Sequence, residues 1–241
     1  MARRGLLGLF KGPSRSKVPR LLLVTAHPDD ETMFFAPLLV AAVQQQARVF
    51  VLCLSTGDAD GKGEVRAKEL LRACAVFGIS TRDVTVLDHP HLRDGMHTNW
   101  PPVLVAELVA AHLRDVKPDA LVTFDAFGVS GHDNHIQTYQ GCVLAVSKVR
   151  ESIELAHLGG YVLQSTSLLR KFLGPLDTLI SLARKDYVAV AVTFNILLVF
   201  RAMTQHWSQL LWYRLLFLLL SRFSFVNTFS CMPEGSSYSR G

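Results

Sequence analysis

Cysteine is scarce in this 241-residue sequence, and none of it is paired by spacing. Cys53, Cys74, Cys142 and Cys231 lie far apart with no C-x-x-C, which excludes a disulfide framework and a zinc-finger pattern. Cys53 and Cys74 fall in apolar runs, where a free thiol behaves as a small hydrophobe, so the usage fits a reducing compartment. Charge is also sparse: 19% of residues are charged and mean hydropathy is +0.26. Acidic residues are outnumbered by basic ones, 20 to 25, for a net charge of +5. The basic residues form no dense stripe and no nucleic-acid module, which argues against nucleic acid and for an anionic membrane surface as partner. Internal repeats and low-complexity tracts are absent.

Long apolar runs are interrupted too. The greasiest stretch, 207–226, carries Arg214 and Arg222 where a spanning helix needs about 20 mostly apolar residues. Three readings stay open for it: a core helix on the sheet, an interfacial helix with both arginines and the aromatics at headgroup level, or a true span. Residues 1–19 hold too few apolar residues between basic flanks for a signal peptide, which needs roughly 7–15. They read as a basic arm that touches a membrane without crossing it.

What remains is a chain long enough for one core, expected over 20–226 with 186–226 as its apolar, membrane-contacting part and 227–241 as a flexible tail. Short apolar runs at 20–25, 48–54, 84–87 and 120–124 predict buried strands. Amphipathic segments at 31–46, 63–77, 101–116 and 132–152 predict helices, with Pro101-Pro102 suited to a first turn. Residues 161–166 and 187–193 predict two further strands. The alternation predicts an α/β fold: a doubly wound, mostly parallel, Rossmann-like sheet with helices on both faces and an apolar C-terminal helical segment.

Two polar clusters follow strands one and four of this count. The first is Ala26-His27-Pro28-Asp29-Asp30-Glu31; the second is Gly131-His132-Asp133-Asn134-His135. A doubly wound sheet sets its first and fourth strands side by side and builds its site at their carboxyl ends. Hydrolytic zinc takes three N or O ligands and leaves a fourth position for water. His27 and Asp30 are three apart across a turn stiffened by Pro28, and His132 and His135 are three apart at a helix start. Adjacent Asp29 and Asp30 cannot point the same way, so one can bind metal while the other takes a proton. Taken singly, three acids suit a helix N-terminus and an H-x-x-H suits a surface; their joint placement after apolar strands favours a divided metal site.

Val24-Thr25-Ala26-His27-Pro28-Asp29-Asp30-Glu31 and the segment from Val122 to His135, VTFDAFGVSGHDNH, resemble the N-acetylglucosaminyl-phosphatidylinositol de-N-acetylase family. That family falls within the LmbE-like zinc deacetylases. The segment from Gln205 to Arg214, QHWSQLLWYR, resembles the C-terminal motif of the eukaryotic branch, so the likeness spans about residues 20–225. The resemblance implies Zn2+ held by His27, Asp30 and His135, with Asp29 as the general base toward the water at the metal. It implies that His132 polarises the amide carbonyl, steadies the tetrahedral intermediate and protonates the departing amine. The implied substrate is N-acetylglucosaminyl-phosphatidylinositol, deacetylated at the cytoplasmic face of the endoplasmic reticulum membrane during glycosylphosphatidylinositol-anchor synthesis.

Other positions follow with less chemistry of their own. Arg66 resembles the family's R-x-x-E arginine near the substrate; an Arg66–Glu69 surface pair is the bland reading. Asp94, in a loop after strand three with Asp88, His89 and His91, is expected to rim the same pocket and meet substrate. Metal roles for His89 and His91 are disfavoured because loop histidines are usually solvated. Asp125 is expected either to orient His132 or His135 or to shape a turn. Mammalian-type members are expected to carry an N-terminal membrane helix that residues 1–19 do not resemble: either the chain is an isoform or an incomplete product, or contact falls to the basic arm and the C-terminal aromatic segment.

Overall fold

A computed structural model of the chain describes residues 9, 18–95 and 98–233. Most of the arm expected over 1–19 therefore lies outside the described residues, as does 234–241. Leu9, within that arm, is fully buried in the core.

Five parallel strands come first in the chain: β1 (Arg20–Thr25), β2 (Arg48–Cys53), β3 (Val84–Val86), β4 (Ala120–Phe124) and β5 (Gly159–Leu163). β6 (Ala189–Val192) and β7 (Val226–Cys231) complete a seven-stranded sheet of order β3-β2-β1-β4-β5-β7-β6. β7 runs antiparallel to both neighbours, β5 and β6. β1 and β4 are adjacent, in the register Leu21↔Ala120, so the chain reverses its winding between them as the strand count predicts. Every residue of β4, and all of β1 after Arg20, is buried, as befits strands covered on both faces.

Helices α1 (Asp30–Gln44), α2 (Gly63–Val76), α3 (Pro102–Val116), the single turn α4 (Gly128–Gly131) and α5 (Asp133–Arg150) connect the parallel strands. α3 and α5 pack on each other, and α5 packs on β1, β4 and β5. α1 packs on β2, β6 and β7, and α8 (Ile196–Met203) lies against both α1 and α2. The remaining helices are the short α6 (Leu168–Lys171), α7 (Asp177–Ala183) and α9 (Trp212–Leu220).

Two expectations change here. Residues 227–231 are no tail: they form most of β7, wedged between β5 and β6. The reason lies in α1, which contains Pro37. Asn227 of β7 accepts a hydrogen bond from Leu38 N at 3.1 Å and donates one to Phe34 O at 2.8 Å, supplying both groups beside the proline interruption. The stretch 207–226 is no continuous helix either. It divides into a 3-10 turn (Trp207–Gln209), α9, a second 3-10 turn (Arg222–Ser224) and the start of β7. No helix among the described residues is long and apolar enough to cross a membrane. Arg222, placed by one reading at headgroup level, is fully buried and paired to Asp177, which Arg170 also grips at 2.7 Å. Charge in this segment holds α6 and α7 to the sheet edge.

Candidate metal and catalytic site

The turn after β1 is organised by Asp30. Its Oδ2 accepts from Ala26 N at 3.1 Å and from His27 N at 2.8 Å, so the carboxylate folds the chain back over the first turn of α1. Asp29 sits at φ 115°, a left-handed conformation that a side-chain-bearing residue adopts only at some cost. Its own N–H donates to Glu31 Oε2 at 3.0 Å. The twist sends the two aspartates different ways: Asp30 Oδ1 faces His135 Nε2 at 3.1 Å, whereas Asp29 meets Arg214, with Arg66 3.6 Å away.

His135 enters from the first turn of α5 and stacks on Phe124 with ring centroids 4.0 Å apart. Its Nδ1 lies 3.1 Å from Gly128 O, which only accepts, so Nδ1 carries the proton and Nε2 presents its lone pair. That Nε2 is buried without a hydrogen-bond partner and looks at an acceptor oxygen of Asp30. Gly128 makes this approach possible, since a Cβ there would come 2.9 Å from His135 Cβ.

His27 completes the group. Its Nε2 lies 3.2 Å from Asp94 Oδ1 and 3.0 Å from the Asn134 side-chain amide, and its Nδ1 lies 3.7 Å from Asp30 Oδ2. Nε2 thus sits between a carboxylate oxygen, which calls for a proton on it, and the Asn134 Nδ2 amide donor, which calls for a lone pair, while Nδ1 is turned toward Asp30. His27, Asp30 and His135 thus offer buried donor atoms within 4.8 Å of one another; His27, Asp94 and His132 form a second, less buried set that meets the same limit. A divalent cation fits the first set on this structure's own evidence. Lone pairs of His135 and Asp30 face one another there, and the partnerless Nε2 is the orphan such an ion would satisfy. Burial opposes charge on both groups, yet their mutual attraction holds the Asp30 carboxyl well below the usual range and raises the His135 imidazole, so a cation bound here would displace a proton from Nε2 to gain its lone pair.

Asp29 is set differently. Burial pushes its carboxyl upward, and Arg214 and Arg66 pull against that without cancelling it. His132 caps α5: its Nδ1 accepts from Asn134 N at 3.2 Å, so in the neutral ring Nε2 carries a donor hydrogen. Burial lowers its pKa, helped by the neighbouring His135 and His27.

Arg66 lies in the same place but is heavily engaged. It donates to Gly57 O at 2.7 Å, Pro28 O at 2.8 Å and Asp94 Oδ2 at 3.1 Å. Gly57, at φ 69°, is required there, because a Cβ would come within 2.5 Å of the guanidinium. Arg66 and Glu69 are both buried, which replaces the surface-pair reading; Glu69 accepts from Ser208 N at 2.8 Å and Ser208 Oγ at 2.6 Å. Asp94 is held by Arg66 and His27, which overcome burial and keep its carboxyl low, near a pKa of about 2. Asp125 takes the turn role: it accepts from Ser165 N at 2.6 Å, Ser165 Oγ at 2.7 Å and Phe127 N at 3.0 Å, and contacts neither imidazole. Asp88, His89 and His91 line neither the cleft nor a metal cluster.

Three residues to which the sequence reading gave no part in the site support the turn. His206 Nε2 lies 2.7 Å from Glu31 Oε1 with both side chains fully buried. Glu31 in turn holds the Asp29 amide. Arg214, expected at headgroup level on one reading, instead pairs with Asp29. The only signal was the resemblance of the segment from Gln205 to Arg214 to the family's C-terminal motif.

A cleft of about 510 Å³ is lined by the polar His27, Asp29, Asp30 and His132 together with the apolar Phe172, Leu216, Phe217 and Leu220. Comparison with known proteins agrees with the geometry. A family model described as PIG-L, GlcNAc-PI de-N-acetylase, matches residues 22–146. N-acetylglucosaminyl-phosphatidylinositol de-N-acetylase of Bos taurus is 37% identical over 95% of this chain and 87% of its own. A probable enzyme of the same name from Schizosaccharomyces pombe is 37% identical over 88% and 86%. Among solved structures, N,N'-diacetylchitobiose deacetylase from Pyrococcus horikoshii superposes with a TM-score of 0.66 at 15% identity, covering 95% of this chain and 87% of that one, a likeness of fold. With half of the sequence under the family model and nearly all of it aligned to such relatives, the chain belongs to the GlcNAc-PI de-N-acetylase family.

Proposed function

We propose that the chain is a metal-dependent amidohydrolase that releases acetate from N-acetylglucosaminyl-phosphatidylinositol, leaving glucosaminyl-phosphatidylinositol for glycosylphosphatidylinositol-anchor synthesis. The carrying observation is the convergence of a His27–Asp30–His135 donor set with a separately held carboxylate, Asp29, and a half-buried imidazole, His132, in one cleft. Family membership supports the sugar-lipid substrate. Two imidazoles and a carboxylate suit Zn2+, which when bound supplies Lewis acidity and lowers the pKa of water.

The residues divide the remaining work. Asp29 takes a proton from the attacking water as its oxygen bonds to the acetyl carbon; Arg214 and Arg66 oppose the rise that burial imposes on its carboxyl and so favour the ionised form that accepts the proton. His132 donates from Nε2 to the oxygen that gains charge. The C–N bond then breaks, and the proton lodged on Asp29 returns to the leaving nitrogen through His132. Asp94 orients His27 and Arg66, and it lines the cleft where it would also meet substrate.

The reaction belongs at a membrane surface, the cytoplasmic face of the endoplasmic reticulum in this reading. Exposed large apolar side chains lie on α6, α7 and α9, with Leu169 76% and Trp212 75% exposed, and Leu216 and Leu220 of α9 also line the cleft. Apolar exposure of this kind suits an interfacial seat, with Trp212 and Tyr213 at headgroup level.

Acetate release from the glycolipid in neutral detergent micelles tests the reaction. Wild type should lose activity on chelation and regain it with zinc, and Asp29→Ala should fall by roughly 10²–10⁴-fold while still binding metal. Metal-loaded, folded protein that releases acetate only from soluble acetylamino sugars would overturn the substrate assignment. Flotation with anionic vesicles tests the surface: Trp212→Ser with Leu219→Ser should leave the protein at the bottom of the gradient, and unchanged flotation would remove the apolar patch from the proposal.

A further inference from the structure

Three cations line the cleft, and two are committed to protein carboxylates: Arg66 to Asp94 and Arg214 to Asp29. The third is Lys171, the last residue of α6, half-buried in the cleft wall. Its Nζ lies 3.4 Å from Val129 O, a long hydrogen bond, and 5.7 Å from the centroid of the Phe217 ring. Neither partner cancels its charge, and no ion pair to Lys171 is formed among the described residues. Burial accordingly depresses its pKa with no carboxylate opposing the shift. An ammonium has three donors, so at least two remain for a ligand. Ser130, whose peptide begins at the same Val129 carbonyl, lines the cleft beside it.

We propose that Lys171, with the Ser130 hydroxyl, forms an anion subsite for the phosphodiester of the glycolipid, the feature that separates it from an uncharged acetylamino sugar. The inference rests on the substrate proposed above and adds the residue that recognises its charge. The pairing of an unneutralised cation with apolar side chains in the cleft that holds the donor set carries it. In the glycolipid the phosphodiester lies between the reacting sugar and the acyl chains. Lys171 lines the same cleft as His27, Asp30 and His135 and adjoins Phe217, whose ring in turn lies 6.2 Å from that of Phe172. A partly desolvated cation without a counterion is costly, and a phosphodiester in the cleft would provide the missing charge. Nearby bilayer phosphates share this chemistry, so neutral detergent separates the ligand's own phosphate from theirs.

Two measurements decide the matter on the full-length protein. In neutral micelles, kcat/KM is compared for N-acetylglucosaminyl-phosphatidylinositol and for the same disaccharide headgroup without phosphate. Lys171→Gln should reduce the ratio of the two values at least tenfold, and Lys171→Arg should restore most of it. An equal fall on both compounds, or no fall on either, would overturn the subsite. Calorimetric binding of glycerophosphoinositol needs no turnover: wild type should bind it at least tenfold more tightly than Lys171→Gln, with Lys171→Arg close to wild type. Equal binding by all three proteins would overturn the subsite. Lys171-dependent binding in a protein that does not turn over the glycolipid would support the subsite and overturn only the substrate reading.

Discussion

The guanidinium of Arg214 on α9 bonds the carboxylate of Asp29 in the turn after β1, joining positions 185 residues apart. Asp29 is the group proposed to take the proton of water, and burial favours its protonated form. Arg214 opposes that, so removing its charge should raise the pKa of Asp29 further and leave the base protonated at higher pH. The acidic limb of the kcat/KM profile should therefore move upward in Arg214→Gln and much less in Arg214→Lys. A Gln variant with an unmoved limb would mean that the pair only holds α9 in place.

His206 and Glu31 form a fully buried pair behind the same turn. Burial lowers the imidazole pKa, but the Glu31 carboxylate outweighs it and raises the value above the ordinary one. A group with a raised folded pKa contributes stability that is fully present below its unfolded pKa, about 6.5, and is lost as pH climbs through the folded value. Urea unfolding of wild type and His206→Gln should thus differ most near about pH 6 and converge as the solution becomes alkaline. A gap that widened with rising pH would contradict a charged His206.

The candidate metal donors were legible in the sequence because their arrangement is local. His27 and Asp30 share one turn, His132 and His135 another, and strand counting alone brings β1 beside β4. Arg214, His206 and Ser208 were legible only as letters of a motif, since their partners Asp29, Glu31 and Glu69 lie 139–185 residues away and no periodicity encodes such contacts. Arg222 misled for a related reason: an arginine in a greasy stretch reads as interfacial until its buried partner, Asp177, is known. β7 was missed because VNTFSC has little hydrophobic signal of its own. Its place is set by pairing with two strands and by a side-chain amide that serves a distant helix.

That amide yields a test of the fold. Asn227→Leu would keep volume but leave Phe34 O and Leu38 N without their present partners. Stranding two buried backbone groups costs on the order of 3 kcal/mol. Equilibrium unfolding should show a loss of that size with an unchanged denaturant dependence. A loss below about 0.5 kcal/mol would mean that α1 closes its own ladder past Pro37.

Metal should stabilise the folded chain through the His27–Asp30–His135 set, because an ion that binds the native state alone shifts unfolding by mass action. Zinc at a hundredfold excess over its dissociation constant adds about 2.7 kcal/mol, or roughly 5–10 °C in the midpoint for a chain of this size. Asp30→Asn should abolish that shift, since it removes the only anionic donor in the set and leaves His135 Nε2 facing a neutral amide. Asp94→Asn should keep part of it: the variant loses the acceptor that aligns His27 but retains all three donor atoms. If zinc instead stabilised Asp30→Asn fully and Asp94→Asn not at all, the ion would belong to the His27–Asp94–His132 group, and Asp30 would serve only to fold the turn.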